Sequence, residues 1–122
     1  MIEPLLAALA DTLLRRTRIT LTGSGRTRAA VLVPLLRIDD HPHLLFTRRA
    51  STLAHHRGQV AFPGGRHHPE EDADLETTAL RETHEEIGVA PGDVRLLGPL
   101  DDIETVSTSF VITPFVGFVP HP

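Results

Sequence analysis

Gly64-Gly65, followed by Arg81-Glu82-Thr83-His84-Glu85-Glu86-Ile87-Gly88-Val89, is the stretch whose reading decides this chain. A tight glycine turn leads into a segment in which carboxylates recur at i, i+3 and i+4. At about 3.6 residues per turn, Glu82, Glu85 and Glu86 fall on one face of a helix. With separations of ~5 Å and an effective dielectric of about 20, each pair repels by roughly 3 kcal/mol. A divalent cation turns that repulsion into coordination. Such ions usually serve to handle phosphates. A solvated acidic face is the competing reading, because exposed like-charge pairs cost only about 0.2–0.5 kcal/mol each.

Around this segment the helical pattern extends from about residue 72 to Ile87, with Asp72 or Asp74 as N-cap and Gly88 as the stop. Leu75, Ala79, Leu80 and Ile87 form its apolar side. Arg81 lies four residues before Glu85, within reach to pair with it or orient it. Two glycines after Pro63 let the backbone present a carbonyl to a hard cation. No Gly-Lys-Ser/Thr follows, so the turn is not a nucleotide-binding P-loop.

Further out, Leu5, Leu6, Leu9, Leu13 and Leu14 recur with a helical period that ends in Arg15-Arg16, predicting an N-terminal helix within residues 1–18. It reads as an amphipathic helix docked on the rest of the fold. Thr20 to Arg28 reads as a hairpin or loop. Ala29 to Leu36 predicts a buried strand in which Pro34 implies an edge or a bulge. Asp39-Asp40-His41-Pro42 reads as a turn and His43 to Thr47 as the returning strand. Val94 to Leu97 and Phe110 to Val119 complete the strands, separated by the polar loop Asp101 to Ser109. Strands before and after a central helix, with a terminal helix added, predict one α/β (α+β) domain over 1–122 with a mixed β-sheet.

Composition narrows the function. The 122 residues, 40% hydrophobic and 23% charged, are those of one soluble globular domain. The net charge of −4 argues against general nucleic-acid binding, and the twelve positive charges are all arginine. With no cysteine, any metal site must use oxygen or imidazole. No apolar run is long enough to span a membrane, and the N-terminus lacks a signal-peptide pattern, so a cytoplasmic location is expected. His55-His56 and His67-His68 are adjacent pairs that seldom converge on one ion, and His84 is expected to be exposed. At least four of the five phenylalanines are expected in the core.

Gly65 with Arg81-Glu82-Thr83-His84-Glu85-Glu86-Ile87-Gly88-Val89 resembles the Nudix box, Gly-x5-Glu-x7-Arg-Glu-U-x-Glu-Glu-x-Gly-U, where U is bulky and apolar. The second half matches at every fixed position, with Thr83 in place of the usual apolar residue. In the first half Glu71 lies six after Gly65 as the box requires, but nine residues rather than seven separate it from Arg81. Upstream, the run from Leu44-Leu45-Phe46-Thr47-Arg48-Arg49-Ala50 to Gly58-Gln59-Val60-Ala61-Phe62-Pro63-Gly64-Gly65 resembles the signature of the coenzyme A diphosphatase branch. Ile112-Thr113-Pro114-Phe115-Val116-Gly117 is similar to that branch as well, so the likeness covers roughly residues 29 to 119.

The resemblance implies an α/β/α sandwich of the Nudix fold, with residues 62–89 forming the glycine turn and catalytic helix. It implies Mg²⁺- or Mn²⁺-dependent hydrolysis of the diphosphate of coenzyme A or its derivatives, giving 3′,5′-ADP and 4′-phosphopantetheine or its acyl form. Glu82 and Glu86 become metal ligands, Glu85 a third ligand or the base, Gly65 a carbonyl ligand and Arg81 the orienter of a carboxylate. Arg49 and Arg57 become candidates for the substrate phosphates. Members of the branch continue beyond the strand ending near Val119, so a C-terminally truncated member is expected, with marginal stability or a homodimer if a sheet face lies bare. The alternatives are a Nudix hydrolase for another nucleoside diphosphate compound and a catalytically silent nucleotide-binding module.

Overall fold

The computed structural model describes residues 2–22, 25–48, 60–105 and 109–120. Helix α1 spans Glu3–Arg15 and α2 spans Leu75–Ile87. The strands are β1 (Thr27–Ile38), β2 (His41–Leu44), β3 (Thr47–Arg48), β4 (Val60–Ala61), β5 (Gly64–Arg66), β6 (Arg95–Pro99), β7 (Ile103–Glu104) and β8 (Phe110–Val119). The main sheet runs β2-β1-β8-β6, with β5 pairing onto β1 and β7 onto β8, while β3 and β4 pair separately. Strands β1 and β8 lie parallel from Thr27↔Phe110 to Leu36↔Val119, and their other partners are antiparallel. The sheet is therefore mixed, as the order of elements predicts.

Strand alternation sorts the apolar side chains onto two faces. Ala30, Leu32 and Phe115 face α2, where Ala79 is fully buried and Leu75, Val94 and Leu96 pack around them. Leu35 and Phe118 point the other way, toward Ile2, Leu6 and Leu9 at the start of α1 and Leu97 of β6. Helices on opposite faces make three layers, α/β/α. Complete burial of Leu6 contributes about 1.5–3 kcal/mol. Leu13 of α1 sits so close to β6 that a Cβ on Gly98 would stand 3.0 Å from the Leu13 Cβ. The rest of the α1 stripe is less engaged, since Leu14 is 84% exposed.

Several local expectations change. Pro34 lies in a central strand, not at an edge or bulge. Its outer neighbour changes there from β5, paired with 29–31, to β2, paired with 35–38. The Leu32 amide donates to the Pro63 carbonyl on that side, so the N–H that Pro34 lacks falls between two partners. Asp39 and Asp40 form the hairpin turn with φ of 52° and 62°, whereas His41 and Pro42 already belong to β2. The loop after Asp101 contains β7, and β1 begins at Thr27 inside the stretch read as a loop. Phe115 and Phe118 are buried, but Phe46 is 52% exposed and stacks on the half-buried Phe62 at 4.6 Å. The aromatic core is smaller than expected because these two rings satisfy one another beside the small sheet.

Asp102 ties the segment after α1 to the sheet. Burial would raise its pKa, but hydrogen bonds from Thr113, the Leu21 amide, Arg18 and Arg28 outweigh that and lower it. Its Oδ1 accepts from Thr113 Oγ1 at 2.6 Å and Arg18 Nη1 at 2.7 Å. Its Oδ2 accepts from the Leu21 amide at 2.8 Å and Arg28 Nη1 at 3.2 Å. Replacing Asp102 by Asn strands two partly buried guanidinium groups. Urea unfolding at neutral pH is expected to register a loss of about 3 kcal/mol for Asp102→Asn, and a change below 1 kcal/mol would refute this role.

Candidate active site

The glutamate helix begins where Asp74 accepts hydrogen bonds from the amide and hydroxyl of Thr77, both at 2.8 Å. It ends at Gly88, whose φ of 72° is the left-handed conformation suited to glycine. Its buried face is Thr78, Ala79 and Thr83, two of which look polar in sequence. The Thr83 hydroxyl satisfies itself on the Ala79 carbonyl at 2.7 Å, which lets threonine occupy a position where an apolar residue is usual.

That burial turns the glutamates toward β5. The space a Cβ would occupy at Gly65 holds the Glu82 carboxylate, whose Oε2 lies 2.1 Å from the ideal Cβ position. The Gly64 amide donates to Glu86 Oε2 at 2.8 Å. Glycine at 64 is required by a different neighbour, since a Cβ there would stand 2.4 Å from the Ala30 carbonyl oxygen. One glycine thus seats the strand and the other seats the acid.

Of the two candidate caps, Asp72 and Asp74, the helix uses Asp74, and the acid that meets Arg81 is not Glu71, the first-half acid that the box spacing selects. The cap is Asp74, and the buried acid facing Arg81 is Asp72, 3% exposed, whereas the Glu71 side chain is 57% exposed. Arg81 grips Asp72 through two hydrogen bonds, Nε to Oδ1 at 2.7 Å and Nη2 to Oδ2 at 3.0 Å. The His68 amide at 3.0 Å and the Thr78 hydroxyl at 2.9 Å complete the carboxylate's shell. The loop folds back through bonds from the Glu71 and Asp72 amides to the His68 carbonyl, and that turn hides Glu71's neighbour from any fixed spacing rule. Hydrogen bonding from Arg81 is the main cause that holds the Asp72 carboxyl well below its ordinary range, and the same bond raises Arg81.

The rest of the guanidinium serves the site. Arg81 Nη1 reaches both Glu85 oxygens at 3.4 Å and Glu82 Oε2 at 3.8 Å, and Nη2 donates to the Arg66 carbonyl at 3.3 Å. Glu82, half-buried, has its pKa raised chiefly by burial; Arg81 pulls it back, and Glu85 and Glu86 push it up again. Excess negative charge around an all-oxygen donor set, beside a cradle that a Cβ would fill, suits a hard divalent cation such as Mg²⁺ or Mn²⁺. Arg81 Nη1 reaches both Glu82 and Glu85, while the Gly64 amide holds Glu86. Among the described residues, the acid–histidine group whose ligand atoms all lie within 4.8 Å is instead His68, Glu70 and Glu71, on the exposed loop. Arg49, Arg57 and the pair His55-His56 lie outside the described residues.

The NUDIX domain family matches residues 26–118, and the chain belongs to that family. An "Uncharacterized Nudix hydrolase NudL" of Enterobacter sp. (strain 638) is 48% identical over 96 residues, 79% of this chain and 48% of that protein. The chain spans about half the length of the curated relatives it matches. Among solved structures, a Nudix hydrolase from M. smegmatis, RenU, aligns over 82% of this chain and 65% of its own with a TM-score of 0.64 at 21% identity. A C. elegans Ap4A hydrolase aligns over 80% and 70% with a TM-score of 0.63 at 20% identity. At these identities the two structures establish the Nudix fold.

The Asp72 carboxylate carries stability that is complete above its ordinary pKa of 3.8 and is lost as pH falls toward its depressed folded value. Asp72→Asn is therefore expected to cost about 3 kcal/mol at pH 7 and progressively less below pH ~4, read by urea unfolding at both pH values. An equal cost at neutral and acid pH would refute the ion pair. Glu82 carries the opposite sign: its raised pKa means that ionisation destabilises the metal-free fold. In chelator at pH 7, Glu82→Gln is expected to gain about 0.5–1 kcal/mol in thermal unfolding, and a loss would refute the penalty on the ionised carboxylate.

Proposed function

We propose that this chain hydrolyses the diphosphate bond of coenzyme A or its derivatives, releasing 3′,5′-ADP and 4′-phosphopantetheine or its acylated form, with Mg²⁺ or Mn²⁺ as cofactor. The observation that carries the reaction class is the convergence of Glu82 and Glu86 on Gly65 and Gly64. The substrate reading rests on the likeness of Leu44 to Gly65 to the coenzyme A diphosphatase signature.

A diphosphate resists water because its own negative charge repels nucleophiles, and a bound cation neutralises that charge and stabilises the leaving phosphate. Glu82, Glu86 and the Gly65 carbonyl are the ligands for that ion in this reading, with Glu85 as a third carboxylate ligand or the general base. Arg81 fixes Glu85 at the helix surface, where its side chain is 58% exposed and open to water. A carboxylate so placed takes the proton as water attacks phosphorus in line and the P–O bond to the leaving phosphate breaks. Asp72, which touches none of these groups except through Arg81, positions the guanidinium. Arg49 and Arg57 are the candidates for substrate phosphates, the 3′-phosphate among them.

The two other readings are another nucleoside diphosphate substrate, the class to which the Ap4A hydrolase neighbour points by name, and a silent binding module. Release of 3′,5′-ADP from coenzyme A by the purified chain, with Mg²⁺, with Mn²⁺ and with chelator, separates all three. Metal-dependent release is expected. Turnover of Ap4A or ADP-ribose without coenzyme A turnover would favour the second reading, and no turnover of any of them the third. Glu86→Gln is expected to lower turnover by about 10²-fold with an unchanged circular dichroism spectrum; a variant as active as the parent would sink the metal site.

A further inference from the structure

The sheet face opposite α2 carries a cavity that the metal chemistry does not use. Side chains of Val31 and Val33 from β1 and of Ile112 and Pro114 from β8 form its floor, and Phe62 and Ile103 form its walls. The register Val31↔Pro114 and Ile103↔Ile112 brings these strands together. The cavity measures about 320 Å³, and each residue lining it is apolar. A second cavity of about 300 Å³ opens on Gly64, Gly65 and Arg66 of the glycine strand, and shares Val31 and Ile112 with the first. An apolar chamber thus adjoins the strand on which Glu82 and Glu86 converge.

Two groups flank a diphosphate held at those glutamates if coenzyme A is the substrate. One is a ribose carrying a hydroxyl and a phosphate. The other is the pantetheine arm, where one methylene separates the phosphate ester oxygen from a quaternary carbon bearing two methyl groups. Ribose hydroxyls placed in a chamber lined by apolar side chains lose their hydrogen bonds to water and gain none. The gem-dimethyl carbon gains from the same surroundings, because burying apolar surface is favourable in proportion to its area. It is also the apolar group nearest the scissile bond, so it reaches a chamber next to the glycine strand without the chain folding back.

Resting on the coenzyme A reading of the active site, we propose that this chamber is the subsite for the gem-dimethyl group of the pantetheine arm. The arm then runs over the β1–β8 face, away from α2, and the adenosine half extends from the other side of the glutamates. Selection against substrates with a sugar on both sides of the diphosphate follows from the chamber's chemistry. Selection among thioesters does not, because the thiol end of the arm lies many bonds beyond it.

The test compares coenzyme A with an analogue whose pantetheine arm lacks both methyl groups, using the parent chain and Ile103→Asn. Ile103 is 54% exposed and lines the chamber, so asparagine there places an amide in the wall without opening the core. The parent is expected to favour coenzyme A over the analogue by about tenfold in kcat/KM. Ile103→Asn is expected to erase most of that preference, chiefly by raising KM for coenzyme A. Equal kcat/KM for the two compounds with the parent chain overturns the subsite and leaves the coenzyme A reading standing. A preference that persists in a folded Ile103→Asn also overturns it. Loss of turnover on both compounds by the folded parent chain overturns the coenzyme A reading and the subsite together.

Discussion

The pairing of Arg81 with Asp72 is the interaction on which the arrangement of the site depends. One guanidinium holds the buried carboxylate with two hydrogen bonds, reaches the Arg66 carbonyl at the end of the glycine strand, and touches Glu85. Loop, strand and helix are pinned to each other through one planar fork. A buried ion pair is a poor source of net stability, because desolvation offsets much of the attraction. Its value here is geometric: lysine would offer a single point of contact where arginine offers a fixed set of directions. The Asp72 carboxylate is fully subscribed, by Arg81, Thr78 and the His68 amide, so it holds the guanidinium without competing for a cation.

The glutamates show the opposite economy. Asp72 and Asp102 are more deeply buried than Glu82, yet both have lowered pKa values, because each is met by donors on both oxygens. Glu82 is raised, since burial and two neighbouring acids outweigh the one arginine. A carboxylate raised by burial and by its acidic neighbours, in an otherwise well-satisfied structure, supports the proposed role of Glu82 as a metal ligand. A fold optimised for stability alone would place glutamine or an apolar residue there.

The sequence made the helix legible in detail, because the glycine stop, the i, i+3, i+4 acids and Arg81 are local features that obey helical geometry. The sheet was legible through β-branched and leucine-rich runs, and β8 begins and ends where its pattern does. What the chain did not disclose in one dimension depends on loops. Asp72 and Glu71 are adjacent acids of similar appearance, and only the turn closed onto the His68 carbonyl decides which is buried. Pro34 looks like an edge signal until β2 and β5 are seen to meet beside it. Thr78 and Thr83 look like solvent positions, yet their hydroxyls find Asp72 and a backbone carbonyl inside the fold. Asp102 is not legible in one dimension because Arg18, Leu21 and Arg28, which meet it along with the nearer Thr113, lie 74 to 84 residues away along the chain.

The short strand β5 joins the glutamate helix to the sheet. It has three residues, two of them glycine, and each glycine yields its Cβ to a different demand. Gly64 accommodates the backbone of β1, and its amide points outward to Glu86. Gly65 makes room for Glu82. On the helix side the strand therefore meets charge, and through the cavity that opens on Gly64 and Gly65 it meets the apolar face of β1 and β8. A molecule that is highly charged in one part and branched and apolar immediately beside it matches that change of surface. The pairing of Gly64 with Val31 and of Gly65 with Ala30 sets the two surfaces side by side.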